Sequence, residues 1–185
     1  RRGIPVRAVW DFDNLFSLEK ILPVHAPDII DSVQRRVREN GDDVILMSFN
    51  NGMASAMNHE EFMASIRQGI SNAAGSGVQD LFGRLTPVVR PQEMMTTPGH
   101  FERYRQFGIE YVSLYYSATP FDAFRVFARE LSPAEAHNPV QYHNPRTGER
   151  IGIVPTYHAG DLVEHVSLRD WAEQLHQLQN AGRID

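Results

Sequence analysis

Two aspartates one residue apart, Asp11 and Asp13, close a short apolar run, Arg7-Ala8-Val9-Trp10-Asp11-Phe12-Asp13-Asn14. A buried strand that ends in carboxylates delivers them to the mouth of an α/β sheet, where ligands and metal ions bind in that architecture. Carboxylates placed there are costly unless something pairs with them. A hard divalent cation such as Mg²⁺ is one such partner, since it takes oxygen ligands and keeps much of its water. The same residues also suit a plain strand-to-loop exit, because Asp and Asn favour turns. The sequence around the pair leaves both readings open.

The elements that would position the pair follow from hydrophobic spacing. After the first strand and a loop over Ser17 to Pro27, Ile30, Val33 and Val37 mark a helix from Asp28 to Asn40, stopped by Gly41. Val44-Ile45-Leu46-Met47 is a continuous apolar run of the kind a parallel strand buried on both faces requires. Strand, helix, strand is a βαβ unit, so Ser48, after the second strand, reaches the same sheet edge as Asp11 and Asp13. Asn58 and Glu61 form a capping box for a helix burying Phe62, Ile66 and Ile70. Leu85 to Val89 reads as a third strand, closed by Arg90-Pro91. Thr97-Pro98 opens a helix with Phe101 and Tyr104 inward, Tyr111 to Tyr116 is a fourth strand, and Thr119-Pro120 opens a helix burying Phe124, Phe127 and Leu131.

The remainder breaks the alternation. Val140 to Tyr157 reads as a hairpin around Asn144-Pro145-Arg146-Thr147-Gly148. Ser167 to Ala181 reads as a closing amphipathic helix with Leu168, Trp171, Leu175 and Leu178 as its buried stripe. The expected fold class is therefore α/β, a Rossmann-like, mainly parallel sheet sandwiched by helices, as a single domain over 1–185. Its core spans 5–131, and the hairpin and helix span 139–182.

Whole-chain composition narrows the function classes. At 185 residues, 42% hydrophobic and 22% charged, the chain has the makeup of an ordinary globular domain. No apolar run is long enough to cross a bilayer. A net charge of -5 disfavours nonspecific nucleic-acid binding, although a local basic groove is compatible with it. The chain has no cysteine, which excludes disulfides, thiolate metal sites and a cysteine nucleophile. Lys20 is its one lysine. A GC-rich genome or loss of ubiquitin-accepting lysines after delivery into a host cell would each explain that shortage, so the sequence leaves the location open between the cytoplasm and a host cell. The initial Arg1 implies excision from a longer protein.

The motifs at the strand ends resemble those of the haloacid dehalogenase-like superfamily, whose members are mostly Mg²⁺-dependent phosphatases on a Rossmann-like sheet. Its first motif, an apolar strand followed by Asp-x-Asp, is matched by Val9-Trp10-Asp11-Phe12-Asp13. Its second is matched by Ile45-Leu46-Met47-Ser48-Phe49-Asn50-Asn51. The resemblance implies Asp11 as a nucleophile forming an aspartyl-phosphate, Asp13 as acid and base, and Ser48 as a phosphate anchor. Arg90, with Arg103 as second choice, would be the basic residue, and Asp122 would join Asp11 and Asp13 around Mg²⁺. Asp122 also reads as part of a helix-opening capping box with Thr119. The stretch from Asp13 to Asp28 is too short for a large cap, which implies an open site for a phosphorylated macromolecule such as a phosphoprotein or a nucleic-acid end. Two other functions fit the same residues: a noncatalytic interaction domain with a decayed site, and a metal-dependent ribonuclease, since Asp-Phe-Asp-Asn-Leu also resembles the opening of NYN/PIN-like domains.

Overall fold

A computed structural model describes residues 6–115, 132–156 and 168–183. The helix expected from Thr119 to Leu131, Asp122 with it, and the Ser167 cap lie outside the described residues.

The first strand, β1 (Val9–Asp11), pairs in parallel with β2 (Asp43–Ile45), with Asp11 opposite Ile45. Between them run a π-helical segment over Asn14–Ile21, the short α1 (Leu22–His25), and α2 (Pro27–Asn40), which ends at Gly41 with φ 72°, as a left-handed stop requires. The Ser17–Pro27 stretch expected as loop is thus largely helical. Its start is organised by the Asp13 carboxylate, which accepts a hydrogen bond from the Phe16 N–H at 3.0 Å.

After β2, α3 (His59–Ile70) opens on the expected Asn58/Glu61 capping box, with reciprocal bonds of 3.0 Å each, and α4 (Val78–Phe82) follows. Then come β3 (Val88–Val89), α5 (Pro98–Gln106), β4 (Tyr111–Tyr115), α6 (Pro133–His137), the hairpin β5 (Val140–His143) and β6 (Arg150–Thr156), and α7 (Leu168–Asn180). Leu175 and Leu178 of α7 are half-buried, whereas most of that helix is exposed.

The fold is mixed α/β, with a two-stranded sheet β1-β2 and a four-stranded sheet β3-β4-β6-β5. A parallel bridge between Leu46 and Val89 joins the two. Three backbone bonds stitch that junction: Thr86 N–H to Val44 O at 3.2 Å, Leu46 N–H to Val88 O at 3.1 Å, and Arg90 N–H to Leu46 O at 2.8 Å. The strands β1, β2, β3 and β4 therefore advance in one direction, each beside its predecessor. A Rossmann sheet instead reverses its order at a switch point, which is what puts helices on both faces. Right-handed crossovers that always advance the same way leave the helices on one face.

Strand alternation shows which face that is. Trp10 and Phe12, Val44, Leu46, Val89, Val112 and Ile151 pack with residues of α2 to α5, including Val33, Val37, Phe62, Ile66, Phe82, Phe101 and Tyr104. The intervening residues, Val9 and Asp11, Asp43 and Ile45, Thr86, Val88 and Arg90, Ser113, Val154 and Thr156, line a cavity of about 430 Å³. Among the described residues no helix contributes to the lining of this face, and the mixed α/β fold is what they establish of the expected sandwich.

The junction of β1 and β2 is locked by Asp42, whose side chain is fully buried. It accepts bonds from Arg36 Nε at 2.7 Å and Nη2 at 3.1 Å, from Trp10 Nε1 at 2.8 Å and from the Ala8 N–H at 3.2 Å. The Arg36 guanidinium, aided by the Trp10 and Ala8 donors against the cost of burial, holds the Asp42 carboxyl below the usual carboxylate range. A lowered folded pKa means that the unfolded chain takes up this proton first. The stability contributed by Asp42 is therefore present above about pH 4 and lost as pH falls through its folded value. Asp42→Asn is expected to lower the Tm at pH 7 and to flatten its decline in acid, which thermal unfolding across pH measures directly.

Candidate functional site

The site forms where β1 and β3 end on either side of β2. Asp11 is the last residue of β1, and alternation turns it to the inner face. Arg90 follows Val89 and is held in register by its N–H bond to the Leu46 carbonyl. From there its guanidinium reaches across β2, with Nη1 3.7 Å from Met47 Sδ, to Asp11 Oδ2 at 2.7 Å. Both side chains stay about one-third exposed, at 33% for Arg90 and 32% for Asp11. An ion pair this wet contributes little to folding but leaves both groups open to a ligand.

Below the pair, Val9, Ile45, Val88 and Val154 give the cavity an apolar wall. Ser113 and Thr156, whose hydroxyls meet in a short hydrogen bond, and Thr86, which donates to Asp43 Oδ1 at 2.9 Å, add polar spots. Arg84 pairs with Asp43 from the far end of the strand. The polar residues on the inner face, Thr86, Ser113 and Thr156, were missed in sequence. Their signal is the alternation Thr86-x-Val88-x-Arg90, which short strands make hard to read.

Of the other expected site residues, the described ones, Asp13, Ser48 and Arg103, are not among those lining the cavity. Asp13 caps the helical segment through Phe16, as its turn-forming reading implies. Ser48 is 5% exposed, its Oγ has no hydrogen-bond partner, and it is not among the residues lining the cavity. Arg103 sits in the last turn of α5, and Asp122 lies outside the described residues. Asn14 is fully buried; its amide donates to the Gly69 carbonyl at 3.1 Å and the Ser76 carbonyl at 2.9 Å, which ties the end of β1 to the α3–α4 connection.

Among the described residues, the donor set around Asp11 and Asp13 does not make a Mg²⁺ site. Asp11 is engaged by Arg90 and Asp13 by a backbone N–H, and among the described residues no group of three or more His, Asp or Glu side chains could hold a metal ion. Among the described residues, no helix is long and apolar enough to cross a membrane.

No family model matches the sequence, and no curated protein matches it. Solved structures do. The chain is similar to the 4-alpha-glucanotransferase of Thermococcus litoralis, with a TM-score of 0.72 at 19% identity over 94% of this chain and 25% of that one. It is also similar to a putative polysaccharide deacetylase from Mycobacterium smegmatis, with a TM-score of 0.55 at 10% identity over 86% of this chain and 52% of that one. The chain thus spans about a quarter of the first protein and half of the second.

These likenesses correct the resemblance to the haloacid dehalogenase-like superfamily. The Asp-x-Asp strand end is real, but it opens a sheet whose strands advance in one direction, in a chain whose overall fold is similar to those of the two carbohydrate enzymes. The Mg²⁺-dependent phosphatase and its aspartyl-phosphate fall with that resemblance. Nothing in the geometry favours the ribonuclease or the decayed phosphatase site in its place.

Proposed function

We propose that this chain is a carbohydrate-processing domain of the hydrolase class that binds a glucan chain across the inner face of its sheet, with Asp11 and Arg90 at the reacting end. The observation that carries the reading is the Asp11–Arg90 pair at the open mouth of the apolar-walled cavity. Sugars suit such a surface. Their C–H faces pack on aliphatic side chains, and their hydroxyls both donate to a carboxylate and accept from a guanidinium. The likeness to a glucanotransferase over 94% of the chain supports glucan as the substrate class.

The test is incubation of the protein with maltoheptaose, followed by chromatography of the products. Shorter oligosaccharides alone indicate hydrolysis and bear the whole reading out; shorter with longer ones indicate transfer, which keeps the glucan substrate and replaces the hydrolase class. Unchanged maltoheptaose, together with no binding heat on titration, counts against it. Release of acetate from an acetylated oligosaccharide would move the substrate class to that of the second neighbour.

A further inference from the structure

Resting on the glucan reading for its substrate class, we infer that Glu93 is a second glycan-contacting carboxylate of this mouth, presented there by a strained turn. After Arg90 the chain makes a single helical turn, Gln92–Met94, that lies against β4. Met94 N–H donates to the Pro91 carbonyl at 2.8 Å, and Met95 N–H to that of Gln92 at 3.0 Å. Within this turn Glu93 has φ 52° and ψ 19°, and Met94 has φ 54°. Two consecutive side-chain-bearing residues in the left-handed region are uncommon, and neither is Gly, Asn or Asp, which tolerate it best.

Buried residues bracket the turn. Pro91 is fully buried and Met94 is 8% exposed, so two anchors flank Glu93 and leave it alone in solvent. Among the described residues its carboxylate accepts one hydrogen bond, from the adjacent Gln92 amide at 3.3 Å, and no Lys, Arg or His pairs with it. Glu93 stands three residues past Arg90, at the same strand ends as Asp11. Strain of this kind persists where packing over-determines it, and it collects at ligand sites. A glycine would adopt the turn with less strain. A glutamate held there offers hydroxyl-accepting oxygens at the rim.

The experiment pairs two variants of the full chain, Glu93→Gly and Glu93→Gln, in maltoheptaose titrations and thermal unfolding. Glu93→Gly is expected to raise the Tm by about 2–4 °C while weakening binding about tenfold. Glu93→Gln keeps the strain and is expected to weaken binding without moving the Tm. Wild-type affinity in both variants would overturn the contact, and a Tm lowered by Glu93→Gly would overturn the strained presentation. A wild-type protein that binds no maltoheptaose defeats the glucan reading first, and the role of Glu93 with it.

Discussion

Asp11→Asn is expected to leave the protein folded while reducing kcat/KM on maltoheptaose by about 10²-fold or more, the usual cost of removing an acid-base or charge-stabilising carboxylate. The fold survives because the lost interaction is exposed. Asp11 and Arg90 are 32% and 33% accessible, and a wet ion pair contributes only about 0.2–1 kcal/mol. Asn has nearly the same shape, so the inner face keeps its contour. What disappears is the negative charge that pairs with the Arg90 guanidinium beside Met47 and that, in the proposed site, would receive sugar hydroxyls. Steady-state kinetics with a parallel thermal melt check both halves. Unchanged kinetics would remove Asp11 from the site, and a large fall in Tm would make it structural.

Gly77→Ala should have the largest effect on stability, about 3 kcal/mol, as for severe overpacking, or about 6–12 °C in Tm. Backbone dihedrals are not the cause, since Gly77 sits at φ -65° and ψ 152°, which alanine adopts freely. The cause is space. A Cβ there would fall against the Ile70 carbonyl oxygen and lie 2.5 Å from Ser71 Cα, both main-chain atoms that cannot swing aside. The damage would spread to the mouth. Ser76 precedes Gly77, and its carbonyl receives the Asn14 amide that ties down the end of β1. Thermal unfolding reads the loss, and a variant as stable as wild type would show that this loop relaxes.

How far the sequence carries this structure differs by element. The helices of α2, α3 and α5 were legible because their caps are local chemistry: Gly41 at the end of α2, the Asn58/Glu61 box, and Thr97-Pro98. The helical segment after Asp13 was not, because Pro23 and Pro27 read as breakers, whereas Pro23 falls in the first turn of α1 and Pro27 opens α2. The strands were placed, but their order was not. A βαβ unit looks the same in a sheet that advances one way and in one that reverses, and only the Leu46–Val89 junction distinguishes them. That ambiguity let the Asp-x-Asp strand end suggest a phosphatase.

For the site, strand-end position singled out Asp11, and Arg90 was named only through the resemblance to the haloacid dehalogenase-like superfamily; neither showed that the two pair. Their contact spans 79 residues of sequence and depends on Arg90 crossing an intervening strand. Asp42 passed unnoticed because a carboxylate beside another, Asp43, reads as a polar boundary. Its burial follows from Trp10 and Arg36 converging on it. Glu93 was invisible because no residue type near it signals a left-handed backbone.

The central claim is that the inner face of the sheet is a glycan site governed by Asp11 and Arg90. A crystal structure determined with maltoheptaose tests it most directly. Sugar rings are expected along the wall of Val9, Ile45, Val88 and Val154, with hydroxyls within hydrogen-bond distance of Asp11 and Arg90. Maltoheptaose bound elsewhere on the chain, with the Asp11–Arg90 pair and its cavity empty, would contradict it.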